Sequence, residues 1–201
     1  GLAAVAVVVA MLFGINPVTV LTGQVSPPPP PTSITGVPQA GAPPEAVAAY
    51  PPVVAAEAEL MWRRAFRVSA LYFPPVALDV VETRSAFGCG MSGKNLGTFY
   101  CAESQTIHVD VAAYQRLRER VPQGADFAQA VLIAEAYGHH VQHALGVFDD
   151  LAAARADGTE AELAEFEKRI DLQALCYAGM WASTAAIAGL MDDTQVVAAL
   201  E

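Results

Sequence analysis

The first 44 residues of the chain contain no charged side chain, and Glu45 is the first acidic or basic residue. The first 23 of them, GLAAVAVVVAMLFGINPVTVLTG, form an apolar run long enough to cross a bilayer once as a helix. A cleaved signal peptide would have a shorter apolar core and a small-residue cleavage site, and a buried core helix is the other alternative. We expect one N-terminal transmembrane helix over residues 1–23, kinked or ended by Pro17.

Proline dominates the segment that follows, residues 24–52. Ten of the 14 prolines of the chain lie between Pro27 and Pro52. Such a sequence favours polyproline II, which has no internal hydrogen bonds and rises about 3.1 Å per residue. A proline-rich ligand for a recognition domain is less favoured, because no basic residue flanks the run. The pattern predicts an extended linker between the membrane and the rest of the chain.

Residues 53–201 have the length of one domain and contain all 11 basic and 20 of the 21 acidic residues. Apolar spacing of three and four residues predicts helices, and short β-branched runs predict strands. Asp110 is placed to cap one helix, and Asp193 a short last one. The expected fold class is α+β, dominated by helix, with a small β-sheet. The predicted helices end near Leu71, Arg120, Leu145 and Leu190, and the predicted strands cover residues 76–81 and 106–109.

Residues 172–191 also lack charge, so they form either a second membrane span or a buried helix. The segment is rich in Ala, Gly, Ser and Thr rather than Leu and Ile, and it follows an acidic amphipathic stretch. We therefore predict a buried core helix.

The chain is acidic, with a net charge of −10, and residues 53–201 alone carry −9, from 11 basic and 20 acidic side chains. Nucleic acid is excluded as a partner, because its binding would need a basic stripe. An acidic domain does not adhere to anionic lipid headgroups either. Membrane attachment is therefore expected through residues 1–23 alone.

Two of the three cysteines, Cys89 and Cys101, bracket a glycine-bearing loop. They are either free thiols or a disulfide, which would stabilise the fold by about 3 kcal/mol on chain-entropy grounds. A membrane anchor followed by an extended linker favours an oxidising compartment and hence the disulfide. Cys176 lies in an apolar helical stretch and is predicted to be a buried thiol. Without a CxxC motif or a Cys-His cluster in the sequence, no structural zinc site is expected.

The segment that says most about chemistry is FAQAVLIAEAYGHHVQHALGV, residues 127–147. Helical zinc peptidases carry HExxH, in which two His four residues apart bind the metal and the Glu between them activates the bound water. In that register this chain has Glu135, Ala136 and His139. Only the second histidine of the motif is therefore present.

The chain nevertheless resembles a known family, the neutral zinc metallopeptidases, which are single-pass membrane proteins with a zincin-like domain. AQAVLIAEAYGHHVQ at residues 128–142 is similar to the family pattern AQAxxIAHExGHHVQ. GTFYC at residues 97–101 and FGCG around Cys89 match two further motifs, and DLQALCYAGMWA at residues 171–182 is similar to ELQADCxAGxWA. These matches follow one another over nearly all of residues 53–201, so the resemblance implies a zincin-like domain.

The same resemblance implies that the family's chemistry has been lost. Glu135 stands in place of the first zinc-ligand His, and Ala136 in place of the Glu that acts as general base. His139 keeps the second ligand, Asp171 replaces the third-ligand Glu, and Leu175 replaces a supporting acidic residue. General-base assistance contributes about 10²–10⁴-fold in rate, and alanine accepts no proton. No catalytic residue is therefore predicted.

Metal binding stays open at the old site. Glu135 and His139 are four residues apart on one helical face, and Asp171 can approach from the next helix, a set that can bind Zn²⁺ or Mn²⁺. A hydrogen-bonded Glu135–His139 pair without metal is the interpretation we favour, so no cofactor is predicted and zinc is the alternative. His139 and His143 form an HxxxH pair as well, but the family does not use the second position, which we expect to face solvent.

These features predict a non-catalytic pseudo-metallopeptidase that acts as an accessory or scaffold subunit of a larger membrane-protein complex. Its partners are the membrane, through the N-terminal helix, and other membrane proteins. The expected location is the plasma membrane, with the C-terminal domain on the extracytoplasmic, periplasmic side. The alternatives are a residual zinc metallopeptidase with an altered site and a peptide-binding module that uses the old substrate cleft.

Overall fold

The computed structural model describes residues 37–38, 41–81, 89, 97–187 and 197. Helices dominate, as expected, and three strands form one small sheet. The helices are α1 (Pro44–Ala48), α2 (Tyr50–Val68), α3 (Val111–Arg120), α4 (Ala125–Ala144), α5 (Val147–Asp157) and α6 (Glu160–Ile187). The strands are β1 (Ala77–Val81), β2 (Thr98–Cys101) and β3 (Thr106–Asp110).

None of the helices within these ranges has the length and apolar character that a membrane span requires. The transmembrane helix predicted for residues 1–23 lies outside the described residues, and so does Asp193, the predicted cap of a last helix. The described part of residues 172–191, for which a second span was the alternative, belongs to α6.

Residues 44–52 differ from the extended linker expected there, because all of them except Ala49 lie in α1 or α2. Pro44 lies in the first turn of α1 and Pro51 in the first turn of α2. A proline is favourable at these positions, since its missing N–H would have no partner in the helix and its fixed φ suits the first turn. Val47 of α1 and Tyr50 of α2 are buried in the hydrophobic core. This part of the proline-rich segment therefore belongs to the packed fold.

The sheet has β3 at its centre, with β1 parallel to it on one side and β2 antiparallel on the other. Asp110, the last residue of β3, caps α3 as predicted, since its Oδ1 accepts a hydrogen bond of 3.0 Å from the Ala113 N–H. The register places His108 opposite both Asp79 of β1 and Phe99 of β2. Strand β2 was not predicted, because its residues Thr98–Tyr100 were assigned to the glycine-bearing loop between Cys89 and Cys101.

Helix α4 is the centre of the fold and packs against α2, α3, α5, α6 and β2. Its approach to α6 is very close: a Cβ on Gly138 would lie 2.8 Å from the backbone oxygen of Ala174. Gly146, with a φ of 82°, separates α4 from α5, and a left-handed residue at this position favours glycine. Helix α5, which begins directly after it, was not predicted.

Helix α6 buries one face and exposes the other. The exposed face includes Leu172, Leu175 and Met180, which are 55%, 46% and 42% exposed. Over residues 172–186, the part of this segment whose burial is described, the predicted buried core helix is therefore correct for one face only. Cys176 lies on the exposed face, so the prediction of a buried thiol is wrong, because an uncharged helix does not reveal which of its faces packs. The buried face consists of Ala174, Ala178, Trp181 and Ala185.

Candidate functional site

Three side chains that the sequence singled out lie along one face of α4. Glu135, His139 and His143 follow one another at intervals of four residues, and all three are half-buried. Burial raises the pKa of the Glu135 carboxyl, His139 opposes this change, and Asp171 adds to it. Asp171 of α6 is therefore close enough to Glu135 to act on it electrostatically, so the structure brings the predicted site residues into one region.

Gln142, and not Glu135, orients the ring of His139. The Nδ1 atom of His139 lies 2.9 Å from Gln142 Oε1, so the expected Glu135–His139 hydrogen bond is replaced by this one. Gln142 is fully buried, and its Nε2 donates to the Ile170 carbonyl at 2.7 Å and to Gln173 Oε1 at 2.9 Å. A backbone carbonyl only accepts, so the orientation of the amide is fixed and Oε1 must accept from His139 Nδ1–H.

A second hydrogen-bonded chain orients His143 through Tyr100 of β2. His140 is fully buried, and its Nε2–H donates to the Pro74 carbonyl at 3.0 Å. Burial, the largest cause, lowers the pKa of His140, so the ring is neutral and its Nδ1 accepts the Tyr100 hydroxyl proton at 3.0 Å. Tyr100 has no second proton, so its oxygen accepts from His143 Nδ1–H at 2.8 Å. His143 is thus bound to the sheet, and the expectation that it only faces solvent is wrong.

The lowered pKa of His140 predicts a loss of stability in acid. The unfolded imidazole has a pKa near 6.5 and the folded one a lower value, so between the two the unfolded chain binds more protons. The contribution of the buried, neutral His140 ring to the free energy of unfolding is therefore complete above about pH 6.5 and is lost as the pH falls below that value. We expect the difference in free energy of unfolding between wild type and His140→Gln, measured by urea titration, to narrow from about pH 8 to about pH 5.

The pKa of Glu135 is raised in the folded state, so its contribution to stability grows as the pH falls, opposite to that of His140. For this reason the free energy of unfolding is compared between wild type and His140→Gln at each pH. Glu135 is present in both, so its contribution cancels in the difference. If the difference in free energy of unfolding between wild type and His140→Gln stays constant over this range, His140 has the same pKa in the folded and unfolded states and the prediction is wrong.

Ala136 occupies the position of the general base in the HExxH register. Its side chain is 2% exposed and belongs to the hydrophobic core. The methyl group neither accepts a proton nor binds a metal. The structure therefore offers no proton acceptor from this position.

A separate group of possible metal ligands lies at the edge of the sheet. Donor atoms of Cys89, Cys101 and His108 lie within 4.8 Å of one another, and His108 Nδ1 is 3.0 Å from Asp79 Oδ2. This Cys-His cluster was not predicted from the sequence, because it arises from strand register over distant residues. Cys89 and Cys101 form a disulfide, as predicted, so their sulfur atoms are not thiolate ligands in this form.

Comparison with known proteins identifies the family. The sequence profile described as "Putative neutral zinc metallopeptidase" matches residues 1–201. The chain belongs to the neutral zinc metallopeptidase family. The resemblance stated from the motifs at residues 128–142 and 171–182 is thereby confirmed.

The chain is also similar to proteins of two bacteria. YpfJ of Escherichia coli (strain K12) is 28% identical over 197 residues, which cover 98% of this chain and 67% of that protein. Rv2575 of Mycobacterium tuberculosis (strain ATCC 25618 / H37Rv) is 38% identical over 96 residues, which cover 47% of this chain and 31% of that protein. No solved protein structure gives a significant match to the chain.

Zinc is the metal that the family implies, and the three ligand positions of this chain do not fit it as they stand. Ligand atoms of one zinc ion each lie about 2.0–2.3 Å from the metal, so they must also lie close to one another. Over the ranges described above, the only three-residue group within 4.8 Å is Cys89, Cys101 and His108, and the set of Glu135, His139 and Asp171 does not meet that limit. This set has also exchanged one imidazole for a carboxylate.

Proposed function

We propose that the chain is a non-catalytic member of its family, anchored by residues 1–23 and acting as an accessory subunit of a larger membrane-protein complex. The observation that carries the loss of activity is Ala136, whose buried methyl group stands where the family has its general base. Without that carboxylate, the expected loss in rate is about 10²–10⁴-fold. The poor fit of Glu135, His139 and Asp171 to zinc supports the same conclusion.

The exposed face of α6 supports a role in assembly. Leu172, Leu175 and Met180 point away from the core on a stretch of helix without charge. Apolar side chains that gather on one face are typical of surfaces that contact another protein. Fully burying one such side chain contributes about 1.5–3 kcal/mol, so partial burial of three is enough to matter for an interface. The proposed occupant of this face is another membrane protein.

The disulfide supports the proposed location. Cys89 and Cys101 are bonded in the structure, and disulfides persist mainly in oxidising compartments. A domain on the extracytoplasmic side of the plasma membrane meets that condition. The proposed topology is therefore one N-terminal span with the C-terminal domain outside the cytoplasm.

The loss of activity is tested by incubating the full chain, purified in mild detergent with Zn²⁺, with an unfolded protein such as fluorescently labelled casein. We expect no cleavage that a chelator suppresses, because position 136 supplies no base. His139→Ala is the control, since it removes the one family ligand that remains. Chelator-sensitive cleavage by the wild type that is absent from His139→Ala would mean that the chain is a working peptidase.

The assembly role is tested by affinity purification of the full chain in mild detergent. We expect a membrane protein to co-purify in a stoichiometric amount, and Leu172→Asp/Leu175→Asp to lose it. Leu60→Asp is the matched control, because Leu60 is 42% exposed on α2, outside the proposed contact face. If the wild type purifies alone, or if both variants lose the companion equally, the proposed role of the α6 face is wrong.

A further inference from the structure

We propose that His139 and His143 together bind a divalent transition-metal ion, with Cu²⁺ bound more tightly than Ni²⁺ or Zn²⁺. This pair lies one helical turn further along α4 than positions 135 and 139, which hold the two histidines in the family motif. The inference goes beyond the proposed function, since an assembly subunit needs no metal at this place.

The two imidazoles lie on the same side of α4. Residues four apart on a helix have Cβ atoms about 5–6 Å apart, a spacing at which one ion can reach both side chains. Both rings also flank the ring of Phe148 at the start of α5, with centroid distances of 6.5 Å for His139 and 5.6 Å for His143. Phe148 is thus a neighbour common to the two imidazoles.

The hydrogen-bonded chains fix which nitrogen of each ring is available. The series of hydrogen bonds that ends at the Ile170 carbonyl requires a proton on Nδ1 of His139. When His140 is neutral, the hydrogen-bond network that ends at the Pro74 carbonyl places a proton on Nδ1 of His143. A neutral imidazole carries one proton, so in both rings the free lone pair is on Nε2. Two independent networks thus give the two histidines the same tautomer.

This arrangement is the one that metal-binding histidines use. A ligating His almost always donates its other ring N–H to an acceptor that fixes the orientation of the ring. Here the acceptors are a fully buried amide, Gln142 Oε1, and a phenol oxygen, Tyr100 Oη. Both histidines are half-buried, so each side chain is partly enclosed by the fold and partly accessible to solvent.

The donor set decides which ions bind. Two neutral imidazoles suit Cu²⁺, Ni²⁺ and Zn²⁺, whereas Mg²⁺ and Ca²⁺ prefer oxygen ligands. Among divalent ions of the first transition row, affinity for a nitrogen site rises to Cu²⁺ and then falls to Zn²⁺. The protein supplies two ligands, and water completes the coordination.

The proposal is tested by titrating the untagged full chain, in detergent, with Cu²⁺, Ni²⁺ and Zn²⁺ in a Cys176→Ser background that removes the exposed thiol. Calorimetry gives the dissociation constant, and electron paramagnetic resonance of the Cu²⁺ form reports the number of ligating imidazoles. We expect one site with two imidazole nitrogens. His139→Ala and His143→Ala should each weaken binding at least tenfold.

Three further variants separate this site from the family's own. Glu135→Ala and Asp171→Ala should weaken binding far less than His139→Ala does, whereas Tyr100→Phe should weaken it about tenfold, because the acceptor that orients His143 is lost. Absence of binding, or unchanged binding by His143→Ala, overturns the proposal. A loss in Glu135→Ala or Asp171→Ala as large as in His139→Ala also overturns it, since the metal would then occupy the old zinc position. Unchanged binding by Tyr100→Phe overturns the orienting role of the phenol.

Discussion

Gly138→Ala is expected to lower the free energy of unfolding by about 2 kcal/mol, which lowers Tm by about 4–8 °C for a chain of this size. The new Cβ would lie 2.8 Å from the Ala174 oxygen and 3.0 Å from the Ala174 Cα, and neither is a flexible side-chain atom. The backbones of α4 and α6 must therefore move apart at this point of contact. Alanine gains about 1 kcal/mol of helix propensity over glycine, and the steric cost outweighs this gain. Circular dichroism during heating measures the change.

Gly179→Ala is the matched control. Gly179 is also inside a helix, and a Cβ there would meet nothing within 4 Å. We expect it to raise the free energy of unfolding by about 0.5–1 kcal/mol through helix propensity alone. The two substitutions therefore have opposite signs for the same chemical change. Equal effects at both positions would mean that the α4–α6 contact is looser than the structure describes.

Replacing both Cys89 and Cys101 by serine is expected to lower the free energy of unfolding by about 3 kcal/mol. The bond closes a loop with a sequence separation of 12. Removing it increases the conformational entropy of the unfolded chain and therefore favours unfolding. The corresponding fall in Tm is about 6–12 °C. Thermal unfolding of the variant, and of the wild type with and without a reducing agent, measures the effect.

Cys176→Ser is the control that distinguishes the loss of the disulfide from the loss of any cysteine side chain. Cys176 is exposed and free, so its replacement should change the stability by less than about 0.5 kcal/mol. Reduction should then lower the Tm of the wild type and of Cys176→Ser equally, and leave that of the Cys89→Ser/Cys101→Ser variant unchanged. A reducing agent that shifts the double variant would point to a cause other than this bond.

The elements predicted correctly are those with local signals. The cap at Asp110, the helix that follows it, and the long helix ending near Leu145 all depend on residues within a few positions of one another. The family match depends on short ordered motifs, which a sequence shows directly. The prolines of residues 44–52 were misleading, because the same residues that favour an extended chain also suit the first turn of a helix.

The features that the sequence could not predict are those that depend on long-range pairing. Strand register brings Asp79 to His108, and the packing of β2 on α4 brings Tyr100 to His140 and His143, over separations of 29, 40 and 43 residues. The sequence also did not predict which face of α6 is buried, because its uncharged segment has similar residues on both faces. The family register predicts that Glu135, His139 and Asp171 lie in one region. It does not predict that their ligand atoms lie too far apart to bind one zinc ion as they stand.

The position of Tyr100 next to Cys101 has a thermodynamic consequence for the proposed metal pair. Both residues belong to a strand of four residues, so the covalent bond to Cys89 fixes the backbone that presents the phenol. If reduction loosens this strand, it also loosens the orientation of His143, and metal affinity falls. Linkage makes the effect reciprocal: an ion held by the two imidazoles must make the disulfide harder to reduce by the same factor.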